Sequence, residues 1–247
     1  MNRLILLAGP SCVGKSPLHA ALVKFHPQVS AQLRKLILFN SRAPRPGEAD
    51  GKTYHFRRRE EIEALRGKEN FVVLDVRGDL QAVDMAEVRH LLQTSNGFFE
   101  GNPFIACELL SALQTQWQTL SIFLSPLSKA EILFLKSTGA HVALPDFIAD
   151  VMRRKLLRRT QRQKGILSLR DLENIERRAA SAFGELKLAG RFDFVIPNHD
   201  GEDSENWDAF YFPIGEARRT LETFRALIEG RASTGVEKWE AGLLDAG

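Results

Sequence analysis

The chain opens on an unbroken apolar run, Leu4-Ile5-Leu6-Leu7, whose lack of polar alternation predicts a strand buried on both faces. Leu18, Ala21, Leu22 and Phe25 then recur at helical spacing and predict a helix from about Pro17 to Phe25, closed by His26-Pro27. His19 falls in its exposed arc. Leu36 to Phe39 reads as a short strand, Glu60 to Leu65 as a short helix on Ile62 and Leu65, and Phe71 to Val76 as a strand. Residues 82 to 93 carry the pattern of an amphipathic helix with Met85 in the core. Pro103 to Cys107 reads as the next strand, ending at Glu108, and Leu120 to Leu124 as another, followed by a helix from about Ser128 to Ser137. From Pro145 a helix runs on Phe147, Ile148, Val151, Met152 and Leu156. Ser168-Leu169-Arg170-Asp171 forms a capping box opening a helix with Leu169, Leu172, Ile175, Ala179, Phe183 and Leu186 inward. Phe192 to Ile196 is the last strand, a helix from Gly215 to Glu229 closes the pattern, and residues 231 to 247 read as a frayed tail.

This alternation predicts an α/β fold, a parallel sheet with helices on both faces and a site at the strand C-termini. The composition agrees: of 247 residues 44% are hydrophobic and 26% charged, as in soluble globular chains. The N-terminal apolar core is shorter than the roughly 7 to 15 residues of a secretory signal, and no run approaches the about 20 residues that span a membrane. Two cysteines, Cys12 and Cys107, make no disulfide framework, so a reducing cytoplasm is expected. The net charge of +3 hides basic runs at Arg57 to Arg59 and at seven positions between Arg153 and Lys164. They are not interleaved with stacking aromatics, which favours nucleotide phosphates over nucleic acid as the partner.

Between the first strand and the first helix stands Gly9-Pro10-Ser11-Cys12-Val13-Gly14-Lys15-Ser16, a phosphate-binding loop of the form G-x-x-x-x-G-K-S. Gly9 and Gly14 let successive N–H groups, Ser11 among them, turn inward and cradle the ATP phosphates with the helix N-terminus. Lys15 supplies a mobile point charge. Ser16 offers a hydroxyl to a phosphate-bridging Mg²⁺, and Pro17 is tolerated because the first helical turn lacks an N–H partner.

The second informative stretch is Ser41-Arg42-Ala43-Pro44-Arg45-Pro46-Gly47-Glu48-Ala49-Asp50-Gly51-Lys52-Thr53-Tyr54-His55-Phe56. Two arginines on backbone stiffened by prolines suit capture of a phosphate monoester, the second phosphate site a kinase needs for its acceptor. Together the two stretches resemble the guanylate kinase family, whose acceptor loop reads T-T-R-x-P-R-x-G-E-x-x-G-x-x-Y-x-F. The resemblance implies a P-loop three-layer α/β/α fold in which Arg42, Arg45 and Tyr54 grip a nucleoside monophosphate. It departs at Ser41, where the family has Thr, and at Leu38, where it has a serine.

Further on, the guanine-reading glutamate of the family is replaced by Val73, and its N-Y-Y-G-[ST] by Gly78-Asp79-Leu80-Gln81-Ala82. Asp75, two residues beyond Val73 and so on the same strand face, either replaces the missing carboxylate or is a turn acid. Glu108 is matched to the acids of the family's L-D-I-D pattern as a ligand of Mg²⁺ or of substrate; the other reading is an acid favoured at a helix start. The family's lid arginines match Arg158, Arg162 and Arg178, with Arg159 or Arg177 as substitutes. Asn198, in Pro197-Asn198-His199-Asp200, matches V-x-N-D-D and the adenine end of ATP. The expected organisation is one kinase domain: core 1–35, 98–156 and 177–230, acceptor-binding subdomain 36–97, lid 157–176 and tail 231–247. Segments near 139–150 and 201–214 look inserted. The implied chemistry is in-line transfer of the ATP γ-phosphoryl group to an acceptor phosphate with Mg²⁺, Lys15 and arginines stabilising charge. GMP is the best single acceptor. Another phosphorylated acceptor (nucleotide or sugar phosphate) and a non-catalytic module of the same fold stand as alternatives, the latter opposed by the intact Lys15 and Ser16.

Overall fold

The computed structural model describes residues 2–44, 47–137 and 142–245. From the N-terminus the chain forms β1 (Arg3–Ala8), α1 (Lys15–Phe25), α2 (Pro27–Ser30), β2 (Leu33–Lys35), β3 (Phe39–Asn40), β4 (His55–Phe56) and α3 (Arg59–Glu63). It continues through β5 (Phe71–Val76), β6 (Asp79–Asp84), α4 (Met85–Thr94), β7 (Asn96–Gly101) and α5 (Pro103–Leu113). Then come β8 (Gln118–Ser125), α6 (Lys129–Lys136), α7 (Leu144–Lys164), α8 (Leu169–Leu186), β9 (Phe194–Pro197) and α9 (Gly215–Ile228).

Five strands make a parallel sheet in the order β2-β7-β1-β8-β9, with β1 in the middle. Its apolar run is explained by two cores, one on each face: Leu4, Leu6 and Ala8 enter the larger, Ile5 and Leu7 the other. All five side chains are fully buried, and burying a leucine or isoleucine contributes about 1.5 to 3 kcal/mol. The first of the two glycines at the end of β1 is dictated by packing, since a Cβ on Gly9 would lie 2.5 Å from the Leu124 carbonyl oxygen of β8.

A second sheet, β4-β3-β6-β5, packs its own small core of Ile62, Val73, Leu80 and Ala82. The connection Leu36 to Leu38 joins the two sheets: the Leu36 N–H donates to Phe98 O of β7 at 2.8 Å, and Leu38 O accepts from His55 N at 2.8 Å.

Four stretches differ from expectation, the first being Leu36 to Phe39, of which only Phe39 lies in a strand while residues 36–38 connect the two sheets. Pro103 to Cys107 is not a strand but the start of α5, capped by Asn102, whose side chain accepts from Ile105 N at 3.1 Å, with proline in the first turn. Its first five residues are apolar and all but Phe104 are buried, so this part of the helix lacks the polar positions that mark a helix in sequence. The strand lies just before it, as β7. Ala82 and Val83 belong to β6, and the helix begins only at Met85, capped by Asp84, whose side chain accepts from Ala86 N and Glu87 N. Finally, the C-terminal segment is packed. Glu237 pairs its backbone with Val195 in both directions, at 2.8 and 2.7 Å, and Trp239 and Leu244 are buried.

Candidate active site

The phosphate-binding loop leaves the C-terminal end of β1 and enters α1, so its backbone amides face a cleft of about 370 Å³. Gly14 caps α1 in the left-handed region (φ 103°), and a Cβ there would lie 2.5 Å from Asn198 Nδ2. The Lys15 ammonium donates to the Gly9 and Pro10 carbonyls at 2.8 and 2.7 Å, which leaves one N–H for a phosphate. Burial pulls its pKa down, and the Glu202 carboxylate is the strongest charge pulling it back up. Cys12 is buried in the same loop, and its thiol is pushed up to about 12, first by burial and then by the charge of Glu202. It is therefore not a nucleophile.

Ser16 donates its hydroxyl to Glu100 Oε1 at 2.8 Å. Glu100 ends β7, next to β1 in the sheet, and this is the strand-end acid that sequence reasoning assigned to Glu108. Glu108 itself sits in the middle of α5, exposed and outside the cleft. Burial alone would raise the Glu100 carboxyl, but hydrogen bonds from His19 and Ser16 and the Lys35 charge overcome it and hold the group at about 2. His19 Nδ1 stands 3.2 Å from Glu100 Oε2 and its ring packs on Phe98, so this helix residue faces the cleft and not the open solvent. The signal in sequence was Phe98-Phe99-Glu100-Gly101 before Asn102-Pro103, an acid at a strand end followed by a helix cap.

Across the cleft, Arg42 and Tyr54 line the wall contributed by the second sheet and its loops. The Arg42 guanidinium makes a two-pronged pair with Glu48, both bonds 2.6 Å, and lies 5.2 Å from the Tyr54 ring and 5.4 Å from that of Phe56. Asn40 Oδ1 accepts from the Arg42 N–H at 3.1 Å and so orients the start of the loop. Arg45 lies outside the described residues.

Asp75 lies elsewhere. Half exposed and outside the cleft, it accepts from Gly78 N at 2.7 Å and faces Arg59 at 3.2 Å, which makes it the turn acid of the β5–β6 hairpin. The polar groups that do reach the cleft from this hairpin are Arg77, Asp79 and Gln81, the last accepting from Asn102 Nδ2 at 3.1 Å.

The third wall is helical. Arg178 and Arg177 of α8 and Arg159 of α7 line the cleft. Arg158 and Arg162 do not: Arg158 is 69% exposed and 3.6 Å from Asp203, and Arg162 reaches Glu205 at 3.2 Å. Arg158 is turned from Arg159 by about 100° of helical phase, whereas Arg162, three residues on, keeps nearly the same face but lies about 4.5 Å farther along the helix. The acids that take these arginines come from the segment after β9. There Glu202 pairs with Arg159 at 2.8 Å, while its backbone N–H donates to Cys12 O at 3.3 Å.

Asn198 is fully buried and does not line the cleft. Its Nδ2 donates to Val13 O at 2.7 Å and Asp200 O at 2.8 Å, and its Oδ1 accepts from Thr220 Oγ1 at 3.1 Å. With both amide hydrogens engaged and its side chain fully buried, it fastens the phosphate-binding loop to the loop after β9 and to α9, away from the cleft.

Comparison with known proteins points to one family. The family model described as guanylate kinase matches residues 1–133. The guanylate kinase of Shewanella oneidensis is 27% identical over 200 residues, covering 81% of each chain. That of Thiobacillus denitrificans is 29% identical over 198 residues, covering 80% of this chain and 78% of its own. The crystal structure of guanylate kinase from Anaplasma phagocytophilum superposes with a TM-score of 0.55 at 16% identity, covering 94% of this chain and 88% of that one, a likeness of fold.

Proposed function

Since this chain belongs to the guanylate kinase family, we propose that it transfers the γ-phosphoryl group of ATP to the phosphate of GMP, giving ADP and GDP. The observation that carries this reading is that Lys15 of the phosphate loop, Arg42 of the acceptor loop and Arg178 of α8 line one cleft. In-line transfer between two phosphates needs such an arrangement, because both reactants are anionic and repel until cations hold them together.

In this reading Gly9, Ser11 and Gly14 shape the amide cradle for ATP, and Lys15 turns its remaining N–H toward the transferring group. Arg42, with Arg45 and Tyr54, holds the acceptor phosphate. For Arg42 this requires exchange of Glu48 for a phosphate of higher charge. Arg178, Arg177 and Arg159 neutralise charge as it spreads over the γ-phosphoryl oxygens, which makes Arg159 the substitute for Arg158 and Arg162. An acceptor phosphate is already ionised, so no strong general base is needed. Residues 36–97 serve as the acceptor-binding subdomain and 157–176 as the lid, around a core of 1–35, 98–156 and 177–230.

Mg²⁺ fits the pair Ser16 and Glu100, a hydroxyl and a carboxylate one hydrogen bond apart beside the phosphate loop, both hard oxygen donors. Ser16 and Glu100 would hold the ion beside the phosphate loop, where it would supply positive charge to neutralise the phosphates. Glu100, held ionised, orients the Ser16 hydroxyl and keeps its own second oxygen near His19 and Lys35. A cytoplasmic location is supported by the free thiols of Cys12 and Cys107. No described helix is long and apolar enough to cross a membrane.

The test is ADP release coupled to a spectrophotometric assay, with GMP, AMP and sugar monophosphates compared as acceptors. GMP giving the highest kcat/KM supports the reading. A sugar phosphate outrunning every nucleotide would refute it.

A further inference from the structure

The β5–β6 turn holds an arginine that no motif in the sequence singles out. Arg77 has a left-handed backbone (φ 59°), uncommon for a residue with a long side chain. Its Nε donates to Glu185 Oε1 of α8 at 2.6 Å, and its Nη2 pairs in charge with the same oxygen at 2.5 Å. Glu185 is fully buried and also accepts from Ser181 Oγ at 2.6 Å, while the Arg77 side chain is 13% exposed. The turn is pinned a second time where Arg177 Nη1 donates to Arg77 O at 3.3 Å. The third guanidinium nitrogen of Arg77, Nη1, has no partner among the described residues, and Arg77 lines the cleft. Its charge also reaches the phosphate-transfer centre, since Arg77 is among the groups that push the Lys15 ammonium down.

A buried carboxylate that fastens two nitrogens of a guanidinium leaves the third edge aimed in one direction, and a fixed fork is what recognition of a phosphate oxygen requires. We propose that Arg77 is a further acceptor-phosphate residue, its free Nη1 edge donating to the GMP phosphate, and that Glu185 is the positioning residue that aims it. This rests on the GMP reading given above. The hairpin, which has Gly78-Asp79-Leu80-Gln81-Ala82 where the family has N-Y-Y-G-[ST], carries instead a cation held from the opposite helix. Because Glu185 and Arg177 belong to α8, the same contact ties acceptor occupancy to the helix bearing Arg178.

Removing Arg77 alone strands a buried carboxylate, so the informative variant is the neutral pair Arg77→Gln with Glu185→Gln, which removes both charges together, keeps the size of Glu185 and leaves a shorter side chain still able to hydrogen-bond at position 77. Titration of this double variant with GMP and separately with guanosine separates phosphate contact from general damage. The expected result is about 10- to 100-fold weaker GMP binding, the loss of one charge-assisted hydrogen bond, with guanosine and ATP binding far less changed. Equal loss for GMP and guanosine would make the pair structural and overturn the proposal, as would unchanged GMP binding. Glu185→Gln alone should give an intermediate loss for GMP only; no loss there would overturn its positioning role. Absence of GMP binding to the wild-type protein would overturn the acceptor reading itself and this proposal with it, whereas wild-type binding retained in the double variant overturns this proposal alone.

Discussion

Replacing Asn198 by alanine discriminates between a residue that touches adenine and one that holds the phosphate-binding loop. Three hydrogen bonds of 2.7, 2.8 and 3.1 Å would go, all made by a fully buried amide. The Asp200 carbonyl keeps Trp207 Nε1 at 2.7 Å, but no other hydrogen bond is recorded for the Val13 carbonyl among the described residues. At about 1 kcal/mol for each net bond, with more for a buried group left unpaired, the variant should lose about 3 to 4 kcal/mol of stability. For a chain of this size that lowers Tm by roughly 10 °C. The same lesion frees Val13 in the middle of the loop, so KM for ATP should rise while KM for GMP changes less. Urea or thermal unfolding followed by circular dichroism, with ATP and GMP kinetics on the same preparation, reads both effects. A variant as stable as wild type with a raised KM for ATP would refute the reasoning, because only a contact with the nucleotide gives that combination.

Lys15→Ala should abolish phosphoryl transfer with the fold intact; near wild-type turnover in the coupled assay would remove the loop from the catalytic centre. Glu100→Gln should raise the Mg²⁺ concentration needed for half-maximal rate far more than Glu108→Gln does, which a metal titration of both variants measures. Asp75→Asn should leave the GMP over AMP ratio of kcat/KM unchanged, since its carboxylate serves the hairpin turn. His199 bridges Glu216 and Glu131 at 2.9 Å each, and its pKa is raised from 6.5 to about 9, first by the hydrogen bond to Glu216. A raised folded pKa gives stability that is complete below 6.5 and is lost as pH rises through about 9. The gap in unfolding midpoint between wild type and His199→Gln should close over that window, and a gap independent of pH would dismiss the ion pair.

Much of the fold was legible because it is local. The first loop declares itself through residue types that only backbone cradling of phosphate demands. The helices of residues 129–136, 144–164, 169–186 and 215–228 show either a capping signal or an apolar stripe of the right period. The Ser168 cap forms as its spacing predicts, with Asp171 returning a bond to the Ser168 N–H at 3.1 Å. Alternation of strands with helices carried the parallel sheet, and the phosphate loop followed by an arginine-rich acceptor loop carried the family.

What the tertiary structure alone decided concerns buried elements and pairs far apart in sequence. A helix whose first turn is buried and apolar reads like a strand, so α5 was misplaced and the strand-end acid moved from Glu100 to Glu108. Which of several nearby arginines enters the cleft depends on helical phase and on position along the helix: Arg158, Arg159 and Arg162 all pair with acids after β9, and of the three only Arg159 also lines the cleft. Asn198 and Val13 are 185 residues apart, and Arg77 and Glu185 are 108 apart. Neither pairing leaves a trace in local pattern, because periodicity reports which face of an element is buried and is silent on what that face meets.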